Sequence, residues 1–251
     1  MKFSANLGFL WADRSLPDAI RAAKAAGFDA VECHWPYDVP ASAVRAALDE
    51  TGLPMLGLNT VRGNPGENGL CALPDRKPEA RAAIDQAIDY AVQIGAGAIH
   101  VMCGFAEGPQ AEATFLENLR YARKACPGSI TLLIEPLNRH DAPGYFLHSS
   151  QQASALLEKL GLPGVKLMFD CYHIGRTEGD LVTRIRDLAP IIGHIQFAAV
   201  PDRGEPDRGE INYAFVIDAI EKLGWTLPLG AEYKPRETTD TGLGWLSDMR
   251  R

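Results

Sequence analysis

Three carboxylates and one carboxamide interrupt otherwise apolar runs: Glu135 in TLLIEPLN, Asp170 in VKLMFDCYH, Glu232 in PLGAEYKP and Gln196 in GHIQFA. Each stands late in its run. An unpaired carboxylate among branched apolar side chains costs several kcal/mol, so each such residue needs a partner. Alone, any of them reads as a helix cap, an exposed loop residue or half of an ion pair. Together, at one height, they would share a cation. The donors are all oxygens, a hard set that suits Mg²⁺ or Mn²⁺ better than a metal preferring thiolate or imidazole. Three carboxylates around a dication leave the site negative overall. A substrate would therefore enter by chelation through two adjacent oxygens, as a hydroxy-carbonyl compound does.

Such side chains meet only if their runs are neighbouring strands. Eight short apolar runs recur, starting at Phe3, Ala30, Met55, Ala98, Thr131, Val165, Gly193 and Pro228. Most are apolar throughout, as strands covered on both faces are. Between them lie segments with helical spacing: Leu16 to Ala26, Ala41 to Glu50, Pro78 to Ile94, Ala111 to Ala125, Ser150 to Leu160, Gly179 to Leu188, Tyr213 to Leu223 and a short one from Gly242 to Asp248. This alternation predicts parallel βα units. At 251 residues the chain matches a single (β/α)8 TIM barrel spanning 1–251, of which about 250 residues is typical. An open doubly wound sheet is the alternative. In a barrel, the irregular segments Val61 to Lys77 and Val200 to Ile211 fall over the C-terminal mouth, where chemistry sits.

Composition removes other classes. With 46% hydrophobic and 23% charged residues the chain is globular rather than disordered or fibrous. Its 25 Lys and Arg against 32 Asp and Glu give a net charge of −7, which argues against a nucleic-acid partner. Cys33, Cys71, Cys103, Cys126 and Cys171 are odd in number and form no C-x-x-C pair, so no disulfide framework or zinc knuckle is indicated. No nucleotide-binding glycine fingerprint occurs. Asn6 and Asp13 break any signal-peptide core, and no stretch is apolar enough to span a membrane; the expectation is a cytoplasmic protein without a membrane partner. Oligomeric state is unknown from sequence, because Trp11, Trp35, Trp225 and Trp245 form no stripe.

At these residues the chain resembles the hydroxypyruvate isomerase family of xylose-isomerase-like barrels, which includes 2-oxo-tetronate isomerases. The likeness runs from FSANL through VECHWPYD, LLIEPLN, FDCYH and GHIQ to RGEPDRGEINY and EYKPRETTDTGLGW, nearly the whole chain. It implies Glu135, Asp170, Gln196 and Glu232 as ligands of one divalent cation, Mg²⁺ or Mn²⁺. It also implies Glu135 and Glu232 as the catalytic acid/base pair, with His173 and Arg203 near the substrate's oxygens. The implied reaction interconverts hydroxypyruvate and 2-hydroxy-3-oxopropanoate, or a 2-oxo-tetronate one carbon longer, through a cis-enediolate. The loop residues Arg62-Gly63-Asn64-Pro65-Gly66 and Cys33-His34-Trp35 differ from the family pattern, which leaves substrate identity open.

Strand alternation adds Lys234, which shares a face with Glu232 and either binds a substrate carboxylate or neutralises a ligand glutamate. The same rule pairs Glu32 with His34, read as a polar upper layer of the barrel. Two other functions compete: a ketose 3-epimerase using the same cation and glutamates on a longer substrate, and a non-catalytic sugar-binding barrel. A zinc endonuclease on this fold would need a basic face and more histidines than the six present.

Overall fold

Each strand expected from sequence forms, and all eight are parallel. In a computed structural model describing residues 1–250, they are β1 (Phe3–Asn6), β2 (Ala30–Glu32), β3 (Leu58–Asn59), β4 (Ala98–His100), β5 (Thr131–Ile134), β6 (Val165–Asp170), β7 (Ile192–Phe197) and β8 (Leu229–Ala231). They lie in the order β2-β1-β8-β7-β6-β5-β4-β3. A parallel bridge from Val31 to Met55 joins the two ends of that order. The Val31 N–H donates to Pro54 O at 3.0 Å, Leu56 N–H to Val31 O at 2.7 Å and Cys33 N–H to Gly57 O at 3.1 Å. The sheet therefore closes into a (β/α)8 barrel, and the open-sheet alternative fails.

The helices are α1 (Leu16–Ala25), α2 (Ala41–Thr51), α3 (Lys77–Ile94), α4 (Gly108–Ala125), α5 (Ser150–Leu160), α6 (Cys171–Thr177), α7 (Leu181–Leu188), α8 (Tyr213–Lys222) and α9 (Gly244–Asp248). Ser15, Ser149 and Asn212 cap α1, α5 and α8 by accepting from the backbone N–H groups of Asp18, Gln152 and Phe215. Gly52 and Gly161 end α2 and α5 at φ of 68° and 61°, a conformation that costs glycine little. One helix was not foreseen. At seven residues, α6 spans under two full turns, too short for a 3.6-residue period to show beside the strand it follows. Four others start off the expected residue: α3 one residue early at Lys77, α4 three early at Gly108, and α7 and α9 two late at Leu181 and Gly244. None of the helices among the described residues is long and apolar enough to cross a membrane.

Register sets the height of the site. Asp170 pairs with Gln196 across β6 and β7, Gln196 with Gly230 across β7 and β8, and Asn6 with Glu32 across β1 and β2. Gly230 is needed for close approach, since a Cβ there would lie 2.6 Å from Glu32 Oε1 and 2.9 Å from Gln196 Cγ. Glu135 and Glu232 are the first residues beyond β5 and β8. From outside, Trp245 of α9 packs on Phe3 and Phe197 with ring centroids 5.5 Å away in both cases, and its indole N–H donates to Tyr233 OH at 3.2 Å. The segment carrying Glu232 is thus pinned to the barrel wall. Trp11 and Trp245 go to the core.

Candidate active site

Asp170 ends β6 and begins α6. Its Oδ1 caps that helix, accepting the Tyr172 N–H at 2.8 Å, which leaves Oδ2 facing the barrel mouth without a hydrogen-bond partner. Glu135 Oε1 and Gln196 Oε1 are buried and unpartnered in the same way. Three adjacent strands, β5, β6 and β7, thus each present one unsatisfied oxygen at the same end of the barrel. Buried polar atoms in folded proteins are nearly always paired, so three orphans together call for a ligand. All three are oxygens, which fits a hard divalent cation.

Gln196 is oriented from below. Its Nε2 donates to Glu32 Oε1 at 2.7 Å, turning Oε1 to the site. Glu32 also accepts from Ser4 Oγ at 2.8 Å and Asn6 Nδ2 at 3.1 Å, and pairs with His194 Nε2 at 2.8 Å. Burial works to raise the Glu32 pKa, but the His194 charge and the hydrogen bonds from His194 and Gln196 together hold the carboxyl below its ordinary value. Glu32 thus sits in the expected polar layer of the barrel and there orients Gln196.

Glu232 is differently placed, because both its oxygens are already engaged. Asn6 Nδ2 donates to Oε1 at 3.0 Å, His34 Nε2 lies 2.8 Å from Oε1, and Arg203 Nη2 donates to Oε2 at 2.5 Å. The same Nη2 is 3.7 Å from Asp170 Oδ2. Arg203 reaches this position from a left-handed backbone, φ 57°, a conformation costing about 1–3 kcal/mol in a non-glycine residue. Its N–H donates to Ala199 O at 2.9 Å and its carbonyl accepts from Lys234 N–H at 2.7 Å, which hold that turn.

These surroundings drive the carboxyl groups apart. Burial, then the charges of Glu232 and Asp170, push Glu135 well above the ordinary carboxylate range. Burial and Glu232 push Asp170 up to about 7. For Glu232 burial acts upward too, but Arg203 and His34 outweigh it and hold the group well below its ordinary value. Carboxyls separated in this way can act as one base and one acid.

His173 stands in the first turn of α6, three residues after Asp170, with Nε2 3.7 Å from Asp170 Oδ2 and 4.0 Å from Glu135 Oε1. Glu135, Asp170 and His173 each bring one ligand-type atom within 4.8 Å of the others. The histidine is nevertheless a donor here. Its Nδ1 accepts the Asn138 backbone N–H at 3.0 Å, so in the neutral ring the proton sits on Nε2 and points at the carboxylates. Burial, then Arg203, lowers its pKa to about 3 and keeps it neutral. His100 at the end of β4 is also lowered to about 3, chiefly by burial, with Nδ1 3.4 Å from Glu135 Oε2.

Above these groups opens a cleft of about 360 Å³, within the size range of small-ligand sites. Glu135, His173, Arg203, Glu232, Lys234 and Arg62 all line it. Lys234 makes no ion pair with Glu232; its ammonium lies 5.7 Å from the Phe9 ring centroid. Arg203 does the neutralising instead.

Residues 20–249 match the family model described as xylose isomerase-like TIM barrel. The chain is 43% identical to the 2-oxo-tetronate isomerase of Cupriavidus necator, the alignment covering 98% of this chain and 97% of that one. It belongs to the hydroxypyruvate isomerase family. The hydroxypyruvate isomerase of Escherichia coli is 36% identical to this family member over the full length of both chains. The crystal structure named AP endonuclease, family 2, from Brucella melitensis superposes with a TM-score of 0.94 at 36% identity, covering 98% of each chain.

Within this hydroxypyruvate isomerase family member, the residues expected from sequence converge. Glu135, Asp170, Gln196 and Glu232 surround the same mouth, His173 and Arg203 lie among them, and Lys234 reaches the cleft. Sequence reasoning missed Asn6 and His100. Each is the last residue of its strand, the same signal that marked Asp170. A neutral polar side chain costs less to bury than a charged one, so that signal was weaker.

Proposed function

We propose that the chain is an isomerase that interconverts a 2-oxo-3-hydroxy acid and its 2-hydroxy-3-oxo isomer. Hydroxypyruvate and 2-hydroxy-3-oxopropanoate are the three-carbon pair, and a 2-oxo-tetronate is the four-carbon homologue. The observation carrying this reading is the set of three buried, unpartnered oxygens of Glu135, Asp170 and Gln196 beside an ionised Glu232. Those four residues would hold Mg²⁺ or Mn²⁺. When bound, such a cation polarises a carbonyl and favours a cis arrangement of adjacent oxygens.

The protein supplies the proton transfers. Glu232, held ionised by Arg203 and His34, removes the proton from C3 of the 2-oxo acid. The resulting enediolate is protonated at C2 by Glu135, which draws that proton from solvent, while the O3 hydroxyl proton passes to O2. His173 Nε2–H donates to a substrate oxygen as charge develops, and the Asn138 N–H fixes the tautomer for that task. Arg203 offsets negative charge beside both Glu232 and Asp170. Lys234 adds positive potential at the cleft mouth, where it favours entry of an anion.

The test is conversion by metal-stripped protein before and after Mg²⁺ or Mn²⁺ is restored. Metal-dependent appearance of the aldehyde from hydroxypyruvate, or of the 3-oxo acid from 2-oxo-tetronate, is the expected result. Exchange at C3 of a pentulose or hexulose with neither acid reacting would establish the epimerase instead.

A further inference from the structure

The cations lining the cleft are not equivalent. Arg203 is already committed to Glu232 and Asp170. Arg62, in the loop after β3, makes no ion pair among the described residues. Its Nε donates to Glu67 O and Asn68 Oδ1, each at 3.0 Å, and its Nη2 donates to Asn68 Oδ1 at 2.6 Å. Both acceptors are neutral. The guanidinium lies over the Trp35 ring, 4.8 Å from its centroid, and the Trp35 indole N–H donates to Thr60 O at 3.1 Å.

The loop that carries it is braced. The Gly69 N–H donates to Arg62 O at 2.7 Å, Glu67 Oε2 accepts the Asn64 N–H at 2.7 Å, and Glu67 Oε1 pairs with Arg76 Nη1 at 2.6 Å. Gly63, at φ 96°, is required there, because a Cβ would sit 2.1 Å from Glu67 Oε2. Arg62 is thus a pre-organised guanidinium with its charge uncompensated and its Nη1 edge free of these bonds, on the wall of the cleft that holds Glu135 and Glu232.

We propose that Arg62 is a specificity-determining residue that receives the substrate's carboxylate. This rests on the isomerase reading above and deepens it by naming what the site selects: an acid, not a neutral ketose of the same length. A planar guanidinium suits a carboxylate through paired N–H donors, and little ordering cost remains because the loop and Trp35 already hold it. Arg62 and Lys234 are both exposed, but three hydrogen bonds hold the Arg62 guanidinium, whereas among the described residues the Lys234 ammonium has only its contact with the Phe9 ring.

The experiment compares hydroxypyruvate with dihydroxyacetone, in which a hydroxymethyl group replaces the carboxylate, on metal-saturated wild type, Arg62→Gln, Arg62→Lys and Lys234→Gln. In Arg62→Gln the ratio of kcat/KM for acid over neutral substrate falls on the order of 100-fold, mostly through KM, the size expected for a lost charge-assisted pair. Arg62→Lys recovers part of it. An unchanged ratio in Arg62→Gln overturns the proposal, as does the full loss appearing in Lys234→Gln instead.

Calorimetric binding of glycerate against glycerol separates the two hypotheses. If neither hydroxypyruvate nor dihydroxyacetone turns over, but glycerate binds in preference and Arg62→Gln removes the preference, the anchor stands and the isomerase reading falls. Glycerate binding no tighter than glycerol to the wild type overturns the anchor.

Discussion

One nitrogen of Arg203 serves two carboxylates: Nη2 lies 2.5 Å from Glu232 Oε2 and 3.7 Å from Asp170 Oδ2. The contact holds Glu232 ionised while Asp170 and Glu135 are pushed upward. A base works only above its own pKa, so removing Arg203 should raise the Glu232 pKa. In Arg203→Gln the acid limb of the kcat/KM profile moves to higher pH, and kcat at neutral pH falls on the order of 100-fold, the usual scale for a lost electrostatic donor. Rate profiles from pH 4.5 to 9 check this.

Cation binding should tighten with pH. Asp170, at about 7, and the raised Glu135 hold protons in the cation-free protein that a metal ion must displace. Below those pKa values each displaced proton makes affinity rise about tenfold per pH unit, and above them the dependence flattens. Calorimetry with Mn²⁺ at pH 5.5, 6.5 and 7.5, in two buffers of different ionisation enthalpy, reads both the affinity and the protons released.

Asp170→Asn should separate stability from binding. The folded pKa of about 7 lies above the unfolded value of 3.8, so the folded state binds more protons between them. Its contribution to stability is therefore lost as pH rises through that window, and above it the cation-free protein carries an unfavourable buried charge. Asparagine keeps an oxygen to cap α6 and removes the charge. The cation-free variant should melt higher than the wild type at pH 8, while the gain in Tm on adding Mn²⁺ disappears. Thermal melts with and without metal decide it.

The two glutamates should be separable by isotope. At saturating metal, Glu135→Gln still removes the C3 proton through Glu232, so deuterium enters unreacted hydroxypyruvate at C3 while aldehyde formation drops by about 10²–10⁴-fold. Glu232→Gln stops both. Equal exchange in the two variants would reverse or abolish the assignment of base and acid.

Much of this site was legible in the chain because charge in an apolar strand is costly: Glu135, Asp170 and Glu232 stood out against their neighbours before any fold was known. The barrel followed from the same runs. What did not show in the sequence depends on close packing between distant segments. Arg203 meets Glu232 because a left-handed turn held by Ala199 and Lys234 directs it there, and no local spacing encodes that turn. Glu32 and Asn6 become supports only once register sets them side by side and Gly230 lets Glu32 reach Gln196. A helix cap was one reading of Asp170, but the helix it caps was hidden because α6 is too short to leave a periodic signature.

The most direct measurement is the source of the hydrogen at C2 of the product. Hydroxypyruvate is incubated in D₂O with the metal-restored protein and followed by proton NMR from the first turnovers. Proton transfer through an enediolate predicts 2-hydroxy-3-oxopropanoate carrying deuterium at C2, formed only when the cation is present. Product retaining the substrate's C3 hydrogen at C2 would contradict the two-glutamate relay. Absence of any product from either acid, with C3 exchange in a ketose, would contradict the isomerase itself.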